Sequence, residues 1–435
     1  MTAAPTEPPE IEPAAVDAGS AFRVWNDDEM WFAPPHGQAR PTLSTHCWWE
    51  LPADAVPDLL FEAVRLVASR HDMLTSRIER RGDRIHCRPG AAEPEIRHLR
   101  TGIAVGNAGE AETLGELDPF TGPMLRAVLD RRSAPARFCL QISHAVLDGW
   151  SMDLLLRELA ETYERLAVGA PVDARPAPQM RDWAAAQWDI LKATRDERLD
   201  GWRRLLEAGP LAPAPVPGTP GDRSGTVRWR APEGLPTAVR STARRLRCSP
   251  TVLLVTLLGR ALVAEHGAAA AVRVPFANRH HPGALDVIGN LSTQVPVLFS
   301  AGDAHADRDL GDLTVAANRR MLDAIALLPL SFEAALAELW SSAQAARADR
   351  QTPFFALEVE DGADDDEDDL AGGVLTDVVS PMDEQDGCEV TAEFDEDEAV
   401  ITAGWRGLTR SEEERMHAVF GEFTARLGEL ATPAA

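Results

Sequence analysis

Two periods of apolar residues follow one another directly in residues 136–166, ARFCLQISHAVLDGWSMDLLLRELAETYERL. The first has the two-residue period of a strand and the second the spacing of a helix. Apolar residues alternate up to Ile142, with His144 at the last inward position, which predicts a strand that ends at the histidine. An Asp148-Gly149 turn follows. Leucines at helical spacing then predict an amphipathic helix over 151–166, with Ser151 as its N-cap. Together with the strands and helices predicted further along the chain, this segment favours a fold of class α+β.

The rest of the chain repeats this mixture of elements. Its length of 435 residues exceeds what one hydrophobic core usually supports, so two domains are expected. We expect an acidic, disordered tail at 1–18, an N-terminal lobe at 19–177 and a C-terminal lobe at 178–435, divided at the Pro/Ala-rich stretch 168–179. In the second lobe the pattern predicts helices at 234–266, 307–346 and 410–430, and strands in GTVRWRA, AVRVPFA, PFFALEVE and CEVTAEF.

Composition excludes several classes of partner. A net charge of −26 disfavours nucleic acid and anionic membranes. The apolar window TVLLVTLLGRALVA is too short to span a bilayer and contains Arg260, so it predicts a buried helix. From the acidic, proline-containing start of the sequence we expect no signal peptide, and scattered cysteines without a CxxC pair fit a reducing cytoplasm. The run DGADDDEDDLAGG predicts a solvated acidic loop without a metal ion.

Few motifs suggest specific chemistry. GxSxG, GxxxxGK[ST] and HExxH are absent, which removes the common serine hydrolase, nucleotide hydrolase and zinc protease readings. His280 and His281 are either metal ligands or loop residues. Two basic clusters, Arg244-Arg245-Arg247 and Arg319-Arg320, either receive a phosphate or form solvated helix faces. His144 is either a reactive imidazole at a chain reversal or a core histidine with satisfied nitrogens.

The stretch SHAVLDGWS, residues 143–151, resembles the HHxxxDG motif of the condensation domains of nonribosomal peptide synthesis, which belong with the chloramphenicol acetyltransferase-like acyltransferases. Further segments resemble that family's motifs in the same order. ASRHDMLTSRI is similar to RHxxLRT, DPFTGPMLRAVL to the segment before the core motif, and MRDWAAAQW to YxDFAxW. VPFANRHH is similar to the Gly-Arg segment, VIGNLSTQVPV to GxFVNT, and RADRQTPFFALEV to RDxSRNPLF.

The resemblance implies two lobes forming a V-shaped pseudo-dimer with a central tunnel, and lobe-bridging segments near 285–297 and 350–390. It implies that His144 is the catalytic residue and that Ser143, Asp148, Gly149 and Arg279 give structural support. In this reading Asp148 either caps the next segment or forms an ion pair with Arg279 across the lobe junction. The remaining tunnel or substrate residues implied by the resemblance are Trp150, Gly289, Asn290, Ser292 and Thr293.

The same resemblance implies a monomeric, cytoplasmic acyltransferase without a permanent cofactor or metal. A carrier protein, acting in trans because the chain carries no DSL-like attachment serine, would present an acyl or aminoacyl thioester on its 4'-phosphopantetheine arm. A small-molecule or carrier-bound amine or alcohol would accept the acyl group. A neutral imidazole suits the role of base, and amides at the start of helix 151–166 are candidates for binding the oxyanion.

The chain departs from the family pattern at three places. Ser143 stands in place of the first histidine, Met180 in place of the aromatic that opens YxDFAxW, and Leu291-Ser292 in place of Phe-Val. By strand alternation Ser143 faces away from His144, while the other two changes bear on specificity. The alternative hypothesis is a catalytically degenerate scaffold that recruits another biosynthetic enzyme.

Overall fold

The structure, a computed structural model, contains fourteen strands and eight α-helices among the residues it describes. It describes residues 21–23, 44–81, 84–101, 109, 113–115, 117–173, 175–208, 223–281, 283–305, 308–340, 352–359, 370–379, 387–395 and 398–431. The strands are β1 (Phe22–Arg23), β2 (Ser44–Leu51), β3 (Arg77–Arg81), β4 (Arg84–Arg88), β5 (Glu95–Leu99), β6 (Leu125–Asp130), β7 (Ala136–Ser143), β8 (Arg223–Arg230), β9 (Ala270–Phe276), β10 (Thr293–Phe299), β11 (Phe354–Val359), β12 (Val374–Val379), β13 (Gly387–Phe394) and β14 (Ala399–Leu408).

The observed helices confirm most of those that the spacing of apolar residues predicted. They are α1 (Pro57–Arg70), α2 (Gly149–Ala167), α3 (Met180–Ala208), α4 (Leu235–Leu246), α5 (Pro250–His266), α6 (Leu310–Ile325), α7 (Phe332–Leu339) and α8 (Arg410–Ala431). The single helix expected at 307–346 is wrong. Two helices, α6 and α7, occupy that range, because Pro329 lies between them and a proline cannot continue a helix.

The chain forms two compact units. Unit 1 comprises Met1–Thr194, Ala277–Leu291 and Asp365–Pro381, and unit 2 comprises Arg195–Phe276, Ser292–Asp364 and Met382–Ala435. The chain therefore changes unit inside α3, between Thr194 and Arg195, whereas the sequence places the boundary near 177. The Pro/Ala-rich stretch at 168–179 lies before α3. The change of unit falls inside a continuous helix, where no break in composition marks it.

Unit 1 is built on a mixed five-stranded sheet of order β12-β2-β7-β6-β5. Helices α1 and α2 lie on the face that carries Cys47 and Phe138. Phe61 of α1 packs on Phe138 with ring centroids 6.2 Å apart, and Met152 Sδ of α2 lies 3.9 Å from Cys47 Sγ. On the other face, Arg126 donates to the carbonyl oxygen of Leu114 at 3.0 Å. Strand β7, at the centre of this sheet, leads directly to the SHxxxDG segment.

Unit 2 contains a six-stranded sheet of order β10-β9-β11-β13-β14-β8. The apolar window around Arg260 forms α5, which is buried from Val252 to Val263, as expected. A side chain at Gly259 would place its Cβ 2.2 Å from Phe299 Cε2, so only glycine permits this contact.

No single helix among the described residues is both long and apolar enough to cross a membrane, although α4 and α5, bent by 95° at their junction, would pass the same test if taken together. The expected tail at 1–18 and acidic loop at 361–369 lie outside the described residues.

Candidate active site

His144 lies immediately after the central strand of unit 1. Strand β7 ends at Ser143, which pairs with Ser44 of β2, and His144–Val146 forms a single turn of 3-10 helix. The prediction that His144 is the last inward residue of the strand is therefore wrong by one residue. Strand alternation holds only while the backbone stays in the ladder, and the turn places His144 beyond it.

Ser143 is a buried residue of the sheet. Because directly paired residues share a face, it lies on the face of Ser44 and Gln141, opposite Ile142. It is 1% exposed, and its Oγ has no hydrogen-bond partner among the described residues. Its surroundings are those of a packing residue.

Asp148 both caps a helix and forms an ion pair, so both of the roles considered for it are present. Its Oδ1 accepts the amide of Ser151 at 2.8 Å and Nη2 of Arg279 at 2.8 Å, while Oδ2 accepts the amide of Leu291 at 2.9 Å. The prediction that Ser151 is the N-cap is wrong, because the Asp148 side chain satisfies the first-turn amide and α2 already begins at Gly149. The predicted ion pair with Arg279 is confirmed, but the expectation that it spans the lobe junction is wrong, because both residues belong to unit 1.

The Arg279 guanidinium binds the backbone of the loop that follows it in the sequence. Its Nη1 donates to the carbonyl oxygens of Ala284 at 2.8 Å and Val287 at 2.7 Å. Its Nη2 donates to Asp148 and, at 2.7 Å, to Ser151 Oγ. A planar group with several donors in fixed directions can hold all four acceptors at once, which an ammonium group could not do in this geometry.

Ser151 binds the end of that loop to α2. The sequence did not reveal this role. Its Oγ accepts the amide of Gly289 at 3.0 Å and donates to the carbonyl oxygen of Gly289 at 2.7 Å. The only signal in the sequence is the Asp-x-x-Ser spacing, which places a hydroxyl in the first helical turn without revealing its distant partner. Gly289 in turn has little space, because a Cβ there would lie 2.8 Å from Met180 Sδ and 3.0 Å from Leu291 Cδ1.

His144 is held by Asn290. The Asn290 Nδ2 donates to the carbonyl oxygen of His144 at 3.1 Å. The imidazole itself is half-buried, and burial lowers its pKa from the ordinary value, while its own backbone carbonyl and the Asp148 carboxylate partly offset that effect. A lowered pKa keeps the ring neutral at neutral pH, which is the form that can accept a proton.

The residues expected to line a tunnel fall into both units. Trp150 is 45% exposed, and its Nε1 donates to the carbonyl oxygen of Leu285 at 3.0 Å. Gly289 and Asn290 are buried in unit 1, whereas Ser292 and Thr293 belong to unit 2, where Thr293 begins β10 opposite Phe276. Met180 and Leu291, the two changes expected to bear on specificity, are 1% and 0% exposed.

Gly149 is the first residue of α2 and is exposed. A Cβ built there would meet no atom within 4 Å. Two amides proposed from the sequence as oxyanion donors are already used, since Asp148 accepts that of Ser151 on its carboxylate and that of Met152 on its carbonyl oxygen. That hypothesis is therefore wrong for these two amides, because the helix begins earlier than expected and its cap occupies them.

The other polar clusters have structural surroundings. The ring centroids of His280 and His281 lie 4.1 Å apart with the ring planes tilted by 40°, and the described part of the chain contains no group of three or more potential metal ligands. Arg320 donates to Asp303 Oδ2 at 2.7 Å, whereas Arg319 is 83% exposed on α6. Arg244, Arg245 and Arg247 are exposed at the end of α4.

The comparisons with known proteins agree on one family. A family model for the condensation domain matches residues 30–360. Phosphinothricin tripeptide synthetase PhsC from Streptomyces viridochromogenes is 26% identical over 386 residues, which are 83% of this chain and 34% of that protein. The chain thus spans about a third of the length of this curated relative.

Solved structures show the same fold. The first condensation domain of the calcium-dependent antibiotic synthetase superposes with a TM-score of 0.71 and 18% identity, covering 96% of this chain and 98% of that chain. The X-domain from teicoplanin biosynthesis superposes with a TM-score of 0.73 and 17% identity, covering 97% of each chain. The α+β fold with two chloramphenicol acetyltransferase-like lobes is therefore confirmed.

Proposed function

Because the chain belongs to the condensation-domain family, we propose that it transfers an acyl or aminoacyl group from a carrier-bound thioester to an amine or alcohol, forming an amide or ester. The observation that carries this proposal is the placement of His144. It is a half-buried imidazole with a lowered pKa, at the start of the turn that leads into α2, and its backbone is held by Asn290.

In the proposed reaction His144 acts as a general base. The acceptor nitrogen or oxygen attacks the thioester carbonyl carbon, and its proton passes to the neutral imidazole. The tetrahedral intermediate then collapses, the carbon–sulfur bond breaks, and the carrier thiol leaves with a proton returned by the imidazolium. The step therefore balances. The carbonyl carbon exchanges its bond to sulfur for a bond to the acceptor, and the acceptor's proton ends on the thiol, without an oxidant or a metal ion. A base of this kind typically contributes ~10²- to 10⁴-fold to the rate.

The substrate side of the proposal comes from the relatives. The 4'-phosphopantetheine thioester is a substrate delivered by a carrier protein or carrier domain, and the acceptor is either a small molecule or a second carrier-bound group. Asp148, Arg279 and Ser151 support this site by fixing the start of α2 and the 284–291 loop around His144. They are positioning residues, since they contact protein groups.

The test is a transfer assay with carrier proteins loaded with a panel of acyl and aminoacyl groups, offered with a panel of amines and alcohols. Mass spectrometry would follow the loss of acyl groups from the carrier and the appearance of amide or ester products. We expect the wild type to consume at least one thioester in an acceptor-dependent way, and His144→Ala to lose most of that turnover. A folded wild type that is inactive towards every thioester would favour the scaffold alternative.

A further inference from the structure

One side-chain hydrogen bond reaches the backbone of His144 from a segment more than 140 residues further along the chain. Asn290 is 1% exposed, and its Nδ2 lies 3.1 Å from the His144 carbonyl oxygen. In the GxFVNT motif that this segment resembles, the position of Asn290 is the unspecified one. The amide is therefore a property of this chain rather than of the motif.

The carbonyl group that Asn290 binds belongs to the residue that carries the imidazole, so the hydrogen bond acts on the backbone from which the ring projects. A carbonyl oxygen has two lone pairs. The Asn290 amide takes one of them, and the amide of Leu147 approaches the same oxygen at only 3.4 Å. The Asn290 side chain therefore supplies the shorter of these two hydrogen bonds to the His144 carbonyl group.

Asn290 is itself fixed by the residues on both sides. The amide of Gly289 donates to Ser151 Oγ at 3.0 Å, and the amide of Leu291 donates to Asp148 Oδ2 at 2.9 Å. Both acceptors lie at the start of α2, within one turn of helix. The backbone of residues 289–291 is therefore tied to the same helix end that follows His144, so the Asn290 side chain reaches the carbonyl without a large loss of rotamer freedom.

We propose that Asn290 is a positioning residue that sets the orientation of the His144 imidazole by holding the His144 backbone carbonyl group. This inference rests on the proposed function, in which His144 is the base. In this role Asn290 acts on the backbone of His144 and not on the reacting atoms. Its effect is on the fraction of molecules in which the ring points its unprotonated nitrogen at the acceptor.

Two variants separate orientation from folding. Asn290→Leu keeps the approximate volume and removes the donor. Asn290→Asp is nearly isosteric, removes the donor and adds a negative charge near the ring, where Asp148, itself paired with Arg279, is the charged group that already acts on His144. Asn318, on α6 of unit 2, offers a matched control in Asn318→Leu and Asn318→Asp.

The first readout is independent of activity. In protein labelled with ¹⁵N-histidine, the ring nitrogens of His144 are identified as the signals missing from His144→Ala. We expect Asn290→Leu to change their shifts, and Asn290→Asp to raise the pKa of His144 by roughly one unit, because a carboxylate stabilises the imidazolium. The Asn318 variants should leave both unchanged. His144 signals and titration that are unaltered in a folded Asn290→Asp would overturn the inference.

The second readout is kinetic. We expect Asn290→Leu to lower kcat about tenfold with little change in KM, and Asn290→Asp to move the acidic limb of kcat/KM to higher pH by the shift that the ring shows by NMR. A change in KM alone would place Asn290 in substrate binding and overturn the positioning role. If the ring responds to Asn290 while the wild type transfers no acyl group, the proposed function fails although the hydrogen bond acts as described.

Discussion

The Asp148 carboxylate and the Arg279 guanidinium meet at 2.8 Å with only 3% of either side chain exposed. Removing one partner of a buried pair leaves the other charge without compensation, which costs ~3 to 5 kcal/mol. We therefore expect Asp148→Asn and Arg279→Ala each to lower the free energy of unfolding by several kcal/mol, and the double variant to lose less than the sum. Chemical denaturation of the four proteins measures this cycle, and strictly additive losses would contradict it.

His144 should give the proposed reaction its dependence on acid pH. Because burial lowers the pKa of the imidazole, the acidic limb of kcat/KM should have its midpoint below the ordinary value of about 6.5. His144→Ala should fold normally, lose at least ~10²-fold in turnover and lose this limb. A pH series of kcat/KM for both proteins, with circular dichroism as the folding control, provides the measurement. An unchanged acidic limb in the alanine variant would assign it to another group.

The same lowered pKa has a stability consequence whose sign is fixed. The unfolded chain takes up the His144 proton near pH 6.5 and the folded chain only at lower pH, so stability falls as pH drops below about 6.5. His144→Ala should lessen that decline. Melting temperatures of the two proteins between pH 7.5 and 5 test this, and parallel curves would argue that the imidazole is protonated as easily as in the unfolded chain.

Ser143 should tolerate a loss of atoms but not a gain. Ser143→Ala removes a buried hydroxyl that lacks a described partner, so neither stability nor turnover should fall appreciably. Ser143→His, which recreates the family's paired histidines, inserts a large side chain at a site that is 1% exposed. We expect it to cost ~1 to 3 kcal/mol through overpacking and to gain no activity. A more active Ser143→His would mean that this position takes part in the reaction.

Asp130 provides a test of the core of unit 1. Burial alone would raise its pKa, but hydrogen bonds from Arg132 and Arg137 hold the pKa at about 2. A carboxylate with a lowered pKa stabilises the fold above the unfolded value near 3.9 and loses that contribution as pH falls towards 2. Asp130→Asn should therefore cost ~2 to 3 kcal/mol at pH 7, and the difference should shrink below pH 4. A difference that is constant with pH would contradict the ion pairs.

Local elements were predictable because their signals lie within one stretch of sequence. The alternation before Ser143 and the helical spacing after Gly149 both correspond to observed elements, with errors of one or two residues at the ends. Those errors have a common cause. The residue that follows β7 is bound by Asn290, and the N-cap Asp148 is bound by Leu291 and Arg279, all of which are distant in sequence.

The candidate site was predictable only in part for the same reason. A motif can name His144, Asp148 and Arg279, but it contains no information on the hydrogen bonds of Ser151 to Gly289 or of Asn290 to the His144 carbonyl. Hydrophobic periodicity also does not show which of the two units a segment belongs to. Residues 277–291 and 365–381 return to unit 1 after long excursions through unit 2, and their composition does not distinguish them from their neighbours.

Those returns determine the order in which the protein can mature on the ribosome. Strand β2, near the start of the chain, can pair with β12 only after residues 374–379 have left the ribosome. Asp148 likewise can form its ion pair only after Arg279 has been synthesised. A nascent chain that ends at residue 194 contains His144 but exposes an unpaired sheet edge and a carboxylate without its counter-ion. Unit 1 therefore completes itself late, after most of unit 2 has been synthesised, and early translation intermediates are the species most exposed to misassociation.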